Sequence, residues 1–108
     1  METPLEIRWS KTARKEARTI YAWYKKKMGI STADKFIDGI LHTIDLLALN
    51  PNMGQPVPNN ILYKKEYRIF VEHKNHSIIY YVKKNTLNIH GIWPNSQNPE
   101  GIDKRLKP

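Results

Sequence analysis

The chain contains no cysteine, which removes disulfides, thiolate nucleophiles and thiolate metal ligands together. The cytoplasm is therefore the expected compartment. Long apolar runs are missing as well: no stretch approaches the roughly 20 apolar residues that span a bilayer. The opening Met1-Glu2-Thr3-Pro4 is acidic and has no apolar segment of a secretion signal. Neither secretion nor membrane insertion is expected. No glycine-rich loop forms a phosphate cradle, and no pair of histidines stands at a spacing typical of zinc ligands. Neither a metal nor a cofactor is expected. Negative charge is scarce too, with ten Asp and Glu against eighteen Lys and Arg, a formal net charge of +8.

What is present suffices for one folded unit. The 108 residues are 40% apolar and 26% charged, well above the apolar content of a disordered chain. A single domain over 1–108 is expected, with a flexible basic tail from about residue 95 onward. The charge favours association with a polyanion or an acidic protein; a solvated basic surface explains it equally well.

Leu5-Glu6-Ile7-Arg8-Trp9 alternates apolar and polar residues as a half-buried strand does. Ser10 then caps a helix whose apolar positions Ala13, Ala17, Ile20, Tyr24 and Met28 step by three or four, and Gly29 ends it. A second helix is predicted from Ser31, with Asp34 three residues on as in a capping box. Its apolar face is Ala33, Phe36, Ile37, Ile40, Leu41, Ile44, Leu47 and Ala48, with His42 partly buried, and Asn50-Pro51 stops it. So short a link makes the two helices an antiparallel hairpin. Residues 51–60 form a turn-rich loop, and β-rich segments at 67–72, 77–83 and 86–93 form an antiparallel meander. One face of the meander, built from Tyr67, Ile69, Val71, Ile78, Tyr80, Val82, Leu87, Ile89, Gly91 and Trp93, is expected beneath the hairpin. The fold class is α+β: an N-terminal strand, a two-helix hairpin and an antiparallel sheet completed by the C-terminal meander.

This order of elements resembles the RelE/ParE superfamily of toxins from type II toxin–antitoxin systems. Several local strings carry the resemblance: Ile7-Arg8-Trp9-Ser10-Lys11-Thr12-Ala13 at the opening, Phe36-Ile37 and Ile40 through Leu47 before Asn50-Pro51, and Met53-Gly54-Gln55-Pro56 in the loop. Tyr67-Arg68, Ile79-Tyr80-Tyr81, Ile92-Trp93 and Gln97-Asn98-Pro99 complete it. It covers the chain from about Leu5 to Pro99, and the order and spacing of the strings carry more weight than any one of them.

The nuclease members of that superfamily place cations and a proton-transfer group on the central sheet and near the C-terminus. By that resemblance Arg68 matches one basic position, whereas Phe70, Ser77 and Gln97 stand where the others would be cationic. After Trp93 the chain has no Tyr or His, so a tail acid–base group is missing. The resemblance is thus closer to the ParE-like branch, which implies a non-nuclease toxin contacting DNA gyrase and neutralised by a ParD-like antitoxin in a hetero-oligomer. No catalytic residue is expected under that reading.

Three functions compete. For the gyrase-binding toxin, Lys64, Lys65, Arg68, Lys104, Arg105 and Lys107 are the candidate target contacts. Tyr21, Trp23 and Tyr24 are the candidate antitoxin contacts, with packing inside the hairpin as the alternative; Trp23 departs from the apolar stripe. For a metal-independent mRNA endonuclease acting on the ribosome, Arg68, Tyr81 and His90 would supply a cation, a phenol and an imidazole on the sheet face away from the helices. A structural role for His90 is the alternative there, and His73 and His76 read as solvated turn residues. The third function, a nucleic-acid-binding module stacking bases on Tyr and Trp, has no RRM, KH or OB signature behind it.

Overall fold

The computed structural model describes residues 3–57, 65–72, 76–95 and 106. Strand β1 (Glu6–Trp9) leads at Ser10 into helix α1 (Lys11–Met28). Ser10 has extended backbone angles, and its Oγ accepts the Ala13 N–H at 2.9 Å, the expected N-cap. The same hydroxyl donates to the His90 carbonyl at 3.1 Å, tying the start of α1 to the sheet.

Helix α2 (Ile30–Leu49) begins one residue earlier than predicted, because Gly29, at φ +96°, reverses the chain alone and serves both helices. Its N–H caps α1 on the Lys25 carbonyl, and its own carbonyl accepts the Ala33 N–H. Ser31 is therefore inside the helix and forms no capping box. Asp34 is used differently, accepting the Tyr21 hydroxyl at 2.7 Å and bridging the two helices. Asn50 and Pro51 close α2 as expected, with a single 3-10 turn at Pro51–Met53.

Beyond this turn lie β2 (Gln55–Pro56), β3 (Arg68–Glu72), β4 (His76–Lys83) and β5 (Thr86–Pro94). The sheet order is β1-β5-β4-β3-β2. All pairs are antiparallel except β1 with β5, which run parallel, so the sheet is mixed. The hairpin packs on one face through Ala13, Ala17, Ile40, Ile44, Leu47 and Ala48, against Ile78, Tyr80, Leu87, Ile89 and Ile92. Alanines at the sheet-facing positions of α1 let that helix approach closely.

Two face assignments differ from the sequence reading. In β3, Ile69 pairs with Ile79 and Phe70 with Ile78; Phe70, rather than Tyr67 and Ile69, packs beneath the helices. In β5, Ile79 pairs with Gly91 but Tyr80 with Ile89, leaving His90 as an extra, bulged residue. A bulge reverses the alternation beyond it, so Ile92 turns inward while Trp93 turns to the other face with Gly91. A second core results there, of Val57, Tyr67, Ile79 and Leu106, flanked by Ile69, Tyr81 and Trp93. Leu106 is only 3% exposed in this second core. His42 is exposed on α2, not partly buried, and Leu41 is exposed as well.

The loop after α2 is clamped from below. The fully buried Tyr80 donates its hydroxyl to the Pro51 carbonyl at 2.7 Å and accepts the Gly54 N–H at 2.9 Å. A Cβ at Gly54 would lie 2.5 Å from that hydroxyl, too close for any shift short of breaking the clamp. Gly54→Ala is expected to lower the unfolding free energy by about 1–3 kcal/mol, read from chemical denaturation.

Candidate partner-binding surfaces

The groups a nuclease would need are divided between two faces. Arg68 is in register with Tyr80 and sends Nη1 to the Gly54 carbonyl at 2.7 Å, on the helix side of the sheet. Tyr81 and His90 lie on the opposite side, each against Tyr67: the Tyr81 ring is at 5.6 Å and nearly perpendicular, the His90 ring at 4.9 Å. Lys65 Nζ sits 4.7 Å above the Tyr81 ring, a cation–π contact. Arg68, Tyr81 and His90 therefore do not converge on one point, and alternation along β3 is the reason: Arg68 and Tyr67 are neighbours in sequence and face opposite ways.

Burial holds the Tyr80 phenol above its ordinary pKa, only partly offset by the Gly54 hydrogen bond and the charge of Arg68. A raised folded-state value means that the neutral phenol is favoured by folding. Its contribution to stability is complete below the unfolded value near pH 10 and is lost as the pH rises through the folded value. Stability is expected to hold up to about pH 10 and then fall, with a shallower fall in Tyr80→Phe, measured by denaturation across alkaline pH. The Tyr21 phenol is also raised, first by its hydrogen bond to Asp34.

Among the described residues the hairpin carries several exposed large apolar side chains. Trp23 is 54%, Met28 60% and Ile30 57% exposed. Trp23 stands edge-on to Tyr24 at 5.3 Å, and Tyr24 continues into Phe36 at 5.4 Å and His76 at 5.9 Å. Beside them a groove of about 310 Å³ is lined by Tyr24, Met28, Thr32, Lys35, Phe36, Glu72 and His76. Its floor is polar and buried: Glu72 accepts the Thr43 hydroxyl at 3.3 Å, and His76, 7% exposed, packs 4.9 Å from the Phe36 ring. Lys25, Lys26 and Lys27 form the last turn of α1.

Of the three aromatic residues proposed for antitoxin contact, Tyr24 lines this groove and Trp23 stands edge-on against Tyr24, while Tyr21 is turned to Asp34. Phe36, Glu72 and His76 also line the groove, and no sequence motif marks them as site residues. His76 is a buried strand residue, in place of the solvated turn residue expected, because the helices reach over the end of β4. No local signal reveals it, since Phe36 and His76 are far apart in sequence. Lys64, Lys104, Arg105 and Lys107 lie outside the described residues, as does His73. Among the described residues no group of His, Cys, Asp or Glu is placed to hold a metal ion, and no helix is long and apolar enough to cross a membrane.

Comparison with known proteins agrees with this architecture. A solved chain from the chromosomal ParDE TA system of P. aeruginosa matches with a TM-score of 0.69 at 22% identity, over 83% of this chain and 95% of that one; at this identity the likeness establishes the fold. No curated protein matches. The model of the family described as the ParE toxin of the type II toxin-antitoxin system, parDE, matches residues 7–99. With that match running from the first strand to beyond the last, the chain belongs to the ParE toxin family of type II toxin–antitoxin systems.

Proposed function

We propose that this toxin works as a single cytoplasmic domain that disables DNA gyrase by protein–protein contact, and that a ParD-like antitoxin silences it by docking along the α1–α2 hairpin in a hetero-oligomer. The match to the ParE family over residues 7–99 carries the reading. The hairpin supports the antitoxin half of it. A continuous apolar surface from Trp23 to Phe36, edged by Lys25, Lys26, Lys27 and Lys35, suits an acidic amphipathic helix laid in a groove.

The separation of Arg68 from Tyr81 and His90 favours contact over RNA cleavage. The nuclease alternative retains one observation, the cluster of Tyr67, Tyr81 and His90 with Lys65 above it. The two readings predict opposite results. Under the proposal, His90→Ala leaves toxicity within about threefold, whereas loss of a general acid or base would cost about a hundredfold or more. Growth curves of cells inducing each form, with primer-extension mapping of mRNA ends, distinguish them. Cleaved message that disappears in His90→Ala would replace gyrase contact with nuclease action.

A further inference from the structure

Arg68 presents a charge that the fold positions and that no described carboxylate pairs. The residue is half-buried at the start of β3 and borders a cavity of about 440 Å³ with Pro51, Asn52, Pro56, Tyr67 and Val82, within the size range of small-ligand sites. A guanidinium has five N–H donors and stays charged at any pH a protein survives. One of those donors is committed to the Gly54 carbonyl at 2.7 Å. Gly54 is itself held by the Tyr80 hydroxyl, so the position of the cation is set before any ligand arrives. Among the described residues no carboxylate forms an ion pair with Arg68. A partly buried charge without a counter-ion is costly, and the open side of this one faces the cavity.

We propose that the Arg68 cavity is a receptor for a carboxylate on an apolar stem, the side chain of an acidic residue presented by a protein partner. Arg68 forks onto the two oxygens as guanidinium does with carboxylates, and the Asn52 side chain lies at the same rim to add a donor. Pro51, Pro56 and Val82 receive the methylene groups. The exposed Glu66 carboxylate at the rim sets the ligand's charge: it repels a phosphate dianion more strongly than a carboxylate monoanion. The proposal does not depend on which protein the toxin attacks, since it concerns a single acidic side chain.

The test is an NMR titration of the intact protein, following the Arg68 side-chain Nε–H signal with three probes: N-acetylglutamate α-amide, its glutamine counterpart, and inorganic phosphate. The blocked glutamate is expected to shift the signal saturably in the millimolar range, the neutral glutamine counterpart to leave it in place, and phosphate to bind more weakly. Arg68→Gln, followed through the backbone signals of Asn52 and Val82, is expected to lose binding at least tenfold. Val82→Glu offers a second variant that keeps the Arg68–Gly54 contact. Val82 is exposed, and a carboxylate there would occupy the cation from within and likewise abolish binding. Equal response to the glutamine counterpart, tighter binding of phosphate, or binding that survives in both variants would overturn the assignment.

Discussion

Replacing Trp23 with aspartate is expected to weaken the antitoxin complex by about thirty- to a thousandfold, the range for an interface hot spot of roughly 2–4 kcal/mol. The side chain is half in water in the free toxin and rests on Tyr24, the first residue of the hairpin groove. A large rigid aromatic in that position contributes most when a partner covers it, and a carboxylate in its place would meet an acidic antitoxin with like charge. Exposure also means that the fold does not need it. The change in stability is expected to stay within about 0.5 kcal/mol. Isothermal titration calorimetry with the cognate antitoxin, beside thermal unfolding of the free variant, separates the two effects. Affinity unchanged within about threefold would place the antitoxin elsewhere on the toxin.

Cells that induce this chain without its antitoxin are expected to stop dividing, with replication stalled and DNA damage induced, and to recover when the antitoxin is supplied. Trp23→Asp makes this outcome more telling. It should remain toxic, because the target contact is assigned away from the hairpin, yet it should resist rescue by the antitoxin. Colony counts under paired induction read both properties at once. Normal growth with the unmodified chain alone would count against an active toxin, and rescue of Trp23→Asp as complete as that of the unmodified chain would count against the hairpin groove.

The helical hairpin was largely legible in the sequence because its signals are local. Apolar residues three and four apart mark the inner faces of both helices, Ser10 caps the first and Asn50-Pro51 stops the second. Their exact junction was less legible, since Ser31 and Asp34 imitate a cap while the positive φ of Gly29 makes one unnecessary. The strands were found, but not which way all their residues point. Segments such as Ile69 through Val71 are apolar on both sides, so alternation does not say which side the helices cover. The bulge at His90 then exchanges the faces beyond it, and no residue type there announces it. The site suffered for the same reason. Placing Arg68 with Tyr81 and His90 required a face assignment that pairing alone could supply, and the burial of His76 against Phe36 depends on a contact between distant elements. Trp23, by contrast, was readable as an outlier from its helical stripe.

The most direct test of a contact-acting toxin is a supercoiling assay with purified gyrase and relaxed plasmid, the toxin added alone or already bound to its antitoxin. The toxin alone is expected to block supercoiling in proportion to its amount. The His90→Ala form should do so equally well, and the preformed complex should leave the enzyme active. Gyrase that remains fully active in the presence of free, folded toxin, while the same preparation cleaves ribosome-bound mRNA, would contradict the claim.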